Sequence, residues 1–403
     1  MHRWILALMI LNLLLLSTSY TIVMPFIPIY LSSELKTPAS SLSLWSGACY
    51  AITFIIAAFI SPLWGRFADK SGKKLMLIRV SFLLSLAYLG CYLASTPSQL
   101  FLARAFQGLA SGMWPAVLAI ISGFSPKAKA GIYMGMAQSA NLLGTILGPA
   151  IGGFLISYSS VKECFALTAS LAFIITLLNI FLAKEPPKGD CPHQDLIADN
   201  LKIFDLFKVP RFLELLCANA CGAMVIMLLV PVVALHVDTL AQHAPNSMEY
   251  AGLIFSASGL AGIIASPLWG YLCNKYDGFK ILAIACLLSG MCYTLQTLQD
   301  TLIIFTLLQF LAGLFICGIA PTVHTLIAKT ISQKHSAKAY ALTYACQQGG
   351  NCIGPIVASL VLYFANSFMA FLVAGSILII ASFLLIFSYC KKLIFKKLDL
   401  NGL

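Results

Sequence analysis

Charge is what this chain has least of, and acid is the scarcer sign. Only 10% of its 403 residues are charged, with 14 Asp and Glu in all, against roughly 25% charged residues in an average soluble domain. A soluble fold of this length would divide into about two or three domains with polar surfaces, and too few polar residues are present to cover them. Cysteine pairs are missing as well: the 13 cysteines include no CxxC and no cluster at metal-ligand spacing. They read as small apolar fillers, so neither a metal nor a cofactor is expected. No HExxH, no GxSxG and no paired aspartates occur within an apolar run, so an enzyme is not expected. An Asn-x-Ser/Thr sequon is also absent, which together with short loops suits a bacterial inner membrane.

What is there is apolar. The composition is 60% hydrophobic, with a mean hydropathy of +0.91, and a lipid bilayer is the solvent that suits it. A crossing helix needs ~20 largely apolar residues. About twelve such runs follow one another, centred near residues 16, 54, 85, 111, 141, 173, 225, 261, 288, 314, 350 and 378, and we number them spans 1 to 12. The first is too long for a signal-peptide core and has no small-residue cleavage pattern after it, so it is retained as span 1. Of the 25 Lys and Arg, all but Lys36, Lys162 and Arg104 fall in loops on the side that carries both termini. The positive-inside rule makes that side cytoplasmic. The net charge of +11 is therefore an orientation signal, and basic loops without interleaved aromatics exclude nucleic acid as a partner.

The chain is written twice. Ser61-Pro62-Leu63-Trp64-Gly65 recurs as Ser266-Pro267-Leu268-Trp269-Gly270, and the register continues through Gly108/Gly313, Pro115/Pro321 and Gly148-Pro149/Gly354-Pro355 at offsets of 205 to 206. Six spans per copy give both copies the same direction through the membrane, hence parallel repeats enclosing a midplane cavity. The expectation is an all-α membrane protein of two six-helix bundles: residues 1–184, a polar cytoplasmic linker 185–210, residues 211–390, and a basic tail 391–403.

Three stretches carry candidate function. Gly65 to Lys74, including Asp69, Gly72, Lys73 and Lys74, forms a tight basic turn after span 2 in which Gly72 can take positive φ; Asp69 can latch onto a basic group or a helix end, or the turn can simply set topology. In span 4, Arg104 has no acid in its run, at a cost of ~2.5–3.5 kcal/mol if left in lipid. It serves either coupling and substrate binding or the backbone carbonyls of a neighbouring span. In span 5, Gly144, Gly148 and Gly152 with Pro149 line one face, which permits close helix approach.

These stretches resemble the major facilitator superfamily. Gly65 to Lys74 is similar to its G-x-L-a-D-r-x-G-r-k signature, with Phe67 for Leu; Arg104 to Gly108 resembles its R-x-x-q-G motif; Gly144 to Gly153 resembles the g-x-x-x-G-P-x-x-G-G motif of its antiporter branches. The second-half copy of the turn has Asn274 for Asp69. Val23 to Tyr30, Leu44 to Gly47 and Lys74 to Arg79 resemble the drug-exporting, multidrug-efflux members in particular. The resemblance implies alternating access, a conformational latch at the signature turn, a role for Arg104 in proton transfer, and span 5 as a gate hinge against span 8.

One departure stands out: the intramembrane acid common in proton-coupled exporters is missing, and span 1 offers Asn12 instead. The expected interior holds Arg104 and His324, either of which could serve proton coupling or substrate, and a neutral lining of Asn12, Gln107, Gln138, Asn141, Asn219, Tyr344, Gln347 and Asn351. A neutral-to-positive cavity favours neutral, zwitterionic or anionic substrates over dications. Within the neutral set Asn141 and Gln347 are favoured, and His324 reads equally as a hydrogen-bonded lining residue. The leading expectation is a monomeric proton/drug antiporter of small amphipathic, toxic compounds that confers antibiotic resistance; the alternative is a dedicated organic-anion or siderophore carrier using Arg104 and His324. A channel would not need a latch turn and hinge glycines in one duplicated frame.

Overall fold

The computed structural model describes residues 3–110, 112–125, 130–185, 207, 209, 211–242, 244, 246–331 and 333–401. Most of the expected linker, 186–206, lies outside the described residues, as do the surroundings of Gly65 and the side chains of Asp69 and 390–401. Every long element among the described residues is a helix. In lipid the backbone must satisfy its own hydrogen bonds, and a helix does so within each segment. Serines and threonines here follow the same rule: Thr18 and Ser19 donate to the carbonyls of Leu14 and Leu15, each at 2.7 Å.

Span 1 is Arg3–Val23, continued by a 3-10 turn Met24–Phe26 and Ile27–Ser33; span 2 is Ala39–Ser71 and span 3 Lys73–Leu93. Span 4 is Pro97–Leu109 and Met113–Phe124, broken where Gly112 takes φ +100°. Spans 5 and 6 are Ala130–Tyr158 and Val161–Leu182. The second copy runs Phe212–Leu240 (span 7), Ser247–Lys275 (8), Gly278–Gln296 (9), Leu302–Ile316 with Ile319–Thr330 (10), Gln333–Phe364 (11) and Ser367–Asn401 (12). Ten stretches of the described residues are long and apolar enough to cross a bilayer. Spans 4 and 11 are not among them, because one is broken at Gly112 and the other is diluted by Gln347, Gln348 and Asn351. The chain is an all-α membrane protein of two six-helix bundles. We call the face bearing Arg3 and Asn401 the terminal side, and the opposite one the far side.

The packing repeats as the sequence does. Span 1 lies on 5 and 6, span 2 on 4, and span 3 on 4 and 6; in the second copy 7 lies on 11 and 12, 8 on 10, and 9 on 10 and 12. Individual contacts keep the register. Gly144 and Gly148 press on the carbonyls of Leu14 and Thr18, and Gly350 and Gly354 press on those of Ala220 and Met224. Gly108 meets the Thr53 carbonyl as Gly313 meets that of Ser258.

The bundles meet along two seams, span 5 on span 8 and span 2 on span 11. Both are tightest on the far side, and they are copies of each other. Gly252 lies against the Pro149 carbonyl, and Gly47 against the Pro355 carbonyl, where a Cβ would sit 2.8 Å away. Gly153 faces Gly252 backbone to backbone, and Ser256 donates to the Ile146 carbonyl at 2.5 Å. Nearer the terminal side than these contacts, Gly135, Gly270 and Gly349 have nothing within 4 Å of where a Cβ would stand.

Candidate functional site

A cavity of about 310 Å³ lies where spans 1 to 5 converge, and span 11 closes it with one residue, Gln348. Most of its wall is apolar, formed by residues such as Leu13, Leu16, Phe54, Val80, Leu84 and Met113. Its polar wall consists of Ser17, Tyr20, Thr21, Thr53, Gln107, Asn141, Thr145 and Gln348. Among the described residues, no carboxylate, histidine, lysine or arginine belongs to it. Four of the hydroxyls are committed to helix backbone: Ser17 donates to Asn141 O at 2.8 Å, Thr21 to Ser17 O at 2.8 Å, Thr53 to Arg104 O at 3.0 Å and Thr145 to Leu142 O at 2.7 Å.

Arg104 stands behind this wall rather than on it. It is only 1% exposed. Its Nε donates to the Cys49 carbonyl at 3.2 Å and its Nη1 to Gln107 Oε1 at 2.5 Å, while Nη2 lies 3.7 Å from Met24 Sδ. The Tyr50 ring lies 5.9 Å from the guanidinium, and the Tyr50 hydroxyl donates to the Met24 carbonyl. Gln107 Nε2 in turn donates to the Tyr88 hydroxyl at 3.2 Å. The cation therefore reaches the cavity through Gln107, whose side chain forms part of the wall.

The other expected residues separate into three groups. Asn141 is on the cavity wall, and Gln347 is not: the neighbouring Gln348 takes that place, since one residue along a helix turns a side chain by about 100°. Asn351 backs the wall by donating to Gln348 Oε1 at 2.8 Å. Tyr344, one turn from Gln348, and Gln138, one turn from Asn141, are exposed on the terminal side of the cavity's helices. Asn12 and Asn219 are interhelical bonds instead of lining. Asn12 donates to Asn179 of span 6 at 2.8 Å, and Asn219 to the Thr343 carbonyl of span 11 at 3.3 Å.

His324 is exposed in the terminal half of span 10, its ring 5.7 Å from that of Tyr340, and it does not share a site with Arg104. Among the described residues the buried histidine is His236, unsuspected from sequence, held by the Ser367 hydroxyl at 3.0 Å and ringed by Phe305, Phe368 and Phe371. Neither histidine belongs to the cavity wall. Tyr20 does, and sequence reasoning passed over it because a tyrosine in an apolar run carries no motif.

At the signature turn, Gly72 adopts φ +95°, and Glu185 from the end of span 6 accepts the backbone N–H groups of Lys73 and Lys74, each at 2.7 Å. Lys74 Nζ returns the contact to the Ile180 carbonyl at 2.9 Å. A carboxylate at a helix N-terminus satisfies its orphan donors and its dipole. Glu185, not suspected from sequence, is thus the acid described at this turn; the side chain of Asp69 lies outside the described residues.

The span 5 glycines also divide. Gly144, Gly148 and Gly152 face span 1, within their own bundle, and the contact with span 8 is made by Ile146, Pro149 and Gly153. The contact with span 8 therefore lies on a different face of the helix from the four-residue glycine stripe.

Comparison with known proteins bears on this architecture. The sequence profile of the Major Facilitator Superfamily matches residues 9–242 and 215–392. The chain is 29% identical over 346 residues to the multidrug resistance protein MdtG of Klebsiella pneumoniae (strain 342), covering 86% of this chain and 84% of that one. It is 29% identical over 353 residues to MdtG of Salmonella schwarzengrund (strain CVM19633), covering 86% and 85%. Among solved structures it superimposes on a bacterial homolog of the human lysosomal transporter Spinster, in an inward-facing and occupied conformation, with a TM-score of 0.80 and 14% identity over 96% of this chain and 97% of that one. The nucleoside transporter NupG superimposes with a TM-score of 0.77 and 16% identity, covering 96% and 99%.

Proposed function

The chain belongs to the major facilitator superfamily, and on that premise we propose that it is a secondary carrier that exports small amphipathic drugs or toxic compounds by alternating access. It is a multi-pass protein of the bacterial inner membrane, with both ends in the cytoplasm, acting as a monomer and driven by the proton gradient. The observation that carries this reading is a cavity beside which the two bundles are closed together on the far side by Gly47 on Pro355 and Gly252 on Pro149, with open space at Gly135 and Gly270 toward the terminal side. With cytoplasmic ends, this is the inward-open state. Rocking about the seams would reverse it, since repeats related by an axis along the membrane normal move as two bodies around a fixed site.

The substrate class follows from the wall. A cavity with no fixed charge and Arg104 one residue behind it disfavours cations. The alternative of an organic-anion or siderophore carrier drew on Arg104 and His324 acting on one ligand, and the two stand apart. Asp69, within the signature turn, remains the proposed latch, with the Glu185 cap tying the same turn to the end of span 6; residues 185–210 are the proposed linker.

The reading is tested by pH-gradient-driven flux in proteoliposomes for a neutral compound, an acid and a cation, repeated with Arg104→Ala and Asp69→Asn. Saturable flux that collapses with the gradient and is slowest for the cation supports it. Flux that neither saturates nor depends on any gradient contradicts it.

A further inference from the structure

The hydrogen-bonding character of the cavity is set by groups that stand behind its wall. An amide can turn either end to a ligand, but Gln107 cannot: its oxygen faces the Arg104 guanidinium at 2.5 Å, and an NH2 group in that place would meet donors only. Its Nε2 spends one N–H on Tyr88 and keeps the other. Gln348 turns its oxygen to Asn351, which donates to it at 2.8 Å, and in that orientation its NH2 end is left over. The Asn141 amide and the Tyr20 hydroxyl have no protein partner among the described residues, and both belong to the wall.

Hydroxyls add little of the opposite character. Ser17, Thr21, Thr53 and Thr145 each already make one bond to backbone, so a ligand that offers them nothing leaves no group wholly unsatisfied. A buried donor without any acceptor incurs the full desolvation penalty. The wall therefore penalises a ligand without acceptors more than one without donors, and a site built to hydrogen-bond its ligand rejects the analogue lacking that group.

We propose that this cavity selects uncharged molecules bearing a strong hydrogen-bond acceptor, received by Gln107, Gln348, Asn141 and Tyr20, with Arg104 the positioning residue that fixes Gln107 donor-first. This rests on reading the cavity as the substrate site of the carrier. It goes beyond that reading by naming the polarity of the ligand and the residue that imposes it.

The test is equilibrium binding to the purified full-length protein in detergent, which is independent of whether transport is reconstituted. The probes are triphenylphosphine oxide, a neutral acceptor; triphenylmethane, the same shape without one; and tetraphenylphosphonium, a cation. The oxide should bind about tenfold tighter than the hydrocarbon, the effect of one well-made hydrogen bond against an unmet donor, and the cation weakest. Gln107→Glu keeps a partner for Arg104 and removes the donor; it should bring the oxide/hydrocarbon ratio down several-fold. Arg104→Met frees Gln107 to turn and should lower the same ratio, and Arg104→Lys should restore most of it.

Equal affinity for oxide and hydrocarbon in the wild-type protein overturns the proposal, as does an unchanged ratio in Gln107→Glu. Failure of flux in proteoliposomes, with the binding ratios as stated, would instead count against the carrier reading alone.

Discussion

Arg104 and Gln309 stand 205 residues apart at equivalent points in the fourth helix of each bundle, and they lead to opposite interiors. Arg104 fixes Gln107, which is part of the cavity wall. Gln309 accepts from Gln296 of span 9 at 2.8 Å, and the residue equivalent to Gln107 is Ala312, fully buried. Tyr88 and Tyr293 match, but Tyr20 has Ile226 for its counterpart at the offset of 206 that spans 1 and 7 keep. The backbone contacts, in contrast, are retained almost atom for atom, from Gly108 on Thr53 and Gly313 on Ser258 to the two proline-carbonyl seams. Duplication has kept the backbone contacts in both bundles, whereas the polar wall of the cavity comes from the first bundle save for Gln348.

The sharpest way to break this comparison is to make the first bundle like the second. Arg104→Gln removes hydrogen bonds from a charged donor worth about 1.5–3 kcal/mol each, so transport in proteoliposomes should fall about ten- to a hundredfold. Gln309→Ala should change it less than about threefold, because Gln309 serves packing. Similar losses for the two would erase the distinction between the bundles.

Next in size are the seams. Gly47→Val and Gly252→Val each force side-chain atoms onto a proline carbonyl, and overpacking costs about 1–3 kcal/mol, all of it in the far-side-closed state. Both should lower labelling of a Gln348→Cys thiol from the terminal side by comparable factors. An effect from one alone would show that the two seams are not mechanical equivalents.

A smaller effect separates glue from lining. Asn12→Leu leaves Asn179 without its partner and should cost about 1–3 kcal/mol of stability, read as a lower Tm, with transport affinity unchanged. Adding Asn179→Leu should recover most of the loss, since removing both polar partners is close to neutral. A raised KM in Asn12→Leu would return Asn12 to the cavity. The smallest change is Glu185→Gln, which weakens a charged cap worth about 0.3–1 kcal/mol and should lower Tm by a degree or two without changing substrate preference.

These contrasts mark what the sequence could carry. Spans, the duplicated frame and the glycine stripe were legible because lipid demands long apolar runs and because the proline and glycine offsets survive in plain letters. Gln107 and Asn141 were legible as polar residues at mid-span. Rotation was not: Gln347 and Gln348 differ by one step along a helix, and only packing against its neighbours fixes which of them turns toward the cavity. The stripe of Gly144, Gly148 and Gly152 announces close approach without saying to which helix, and span 1 took it rather than span 8. Glu185, Tyr20 and His236 carried no motif; their roles arise from chain segments brought together only on folding.

The central claim is that one uncharged cavity, lined by the first bundle and closed by Gln348, receives the substrate. Asn141 and Gln347 test it most directly, being equivalents at an offset of 206 with only Asn141 on the wall. Alkylation of Asn141→Cys and Gln347→Cys, read site by site by mass spectrometry with and without triphenylphosphine oxide, should find Asn141→Cys protected by the ligand and Gln347→Cys labelled at the same rate in both. Equal protection at the two positions would contradict the account.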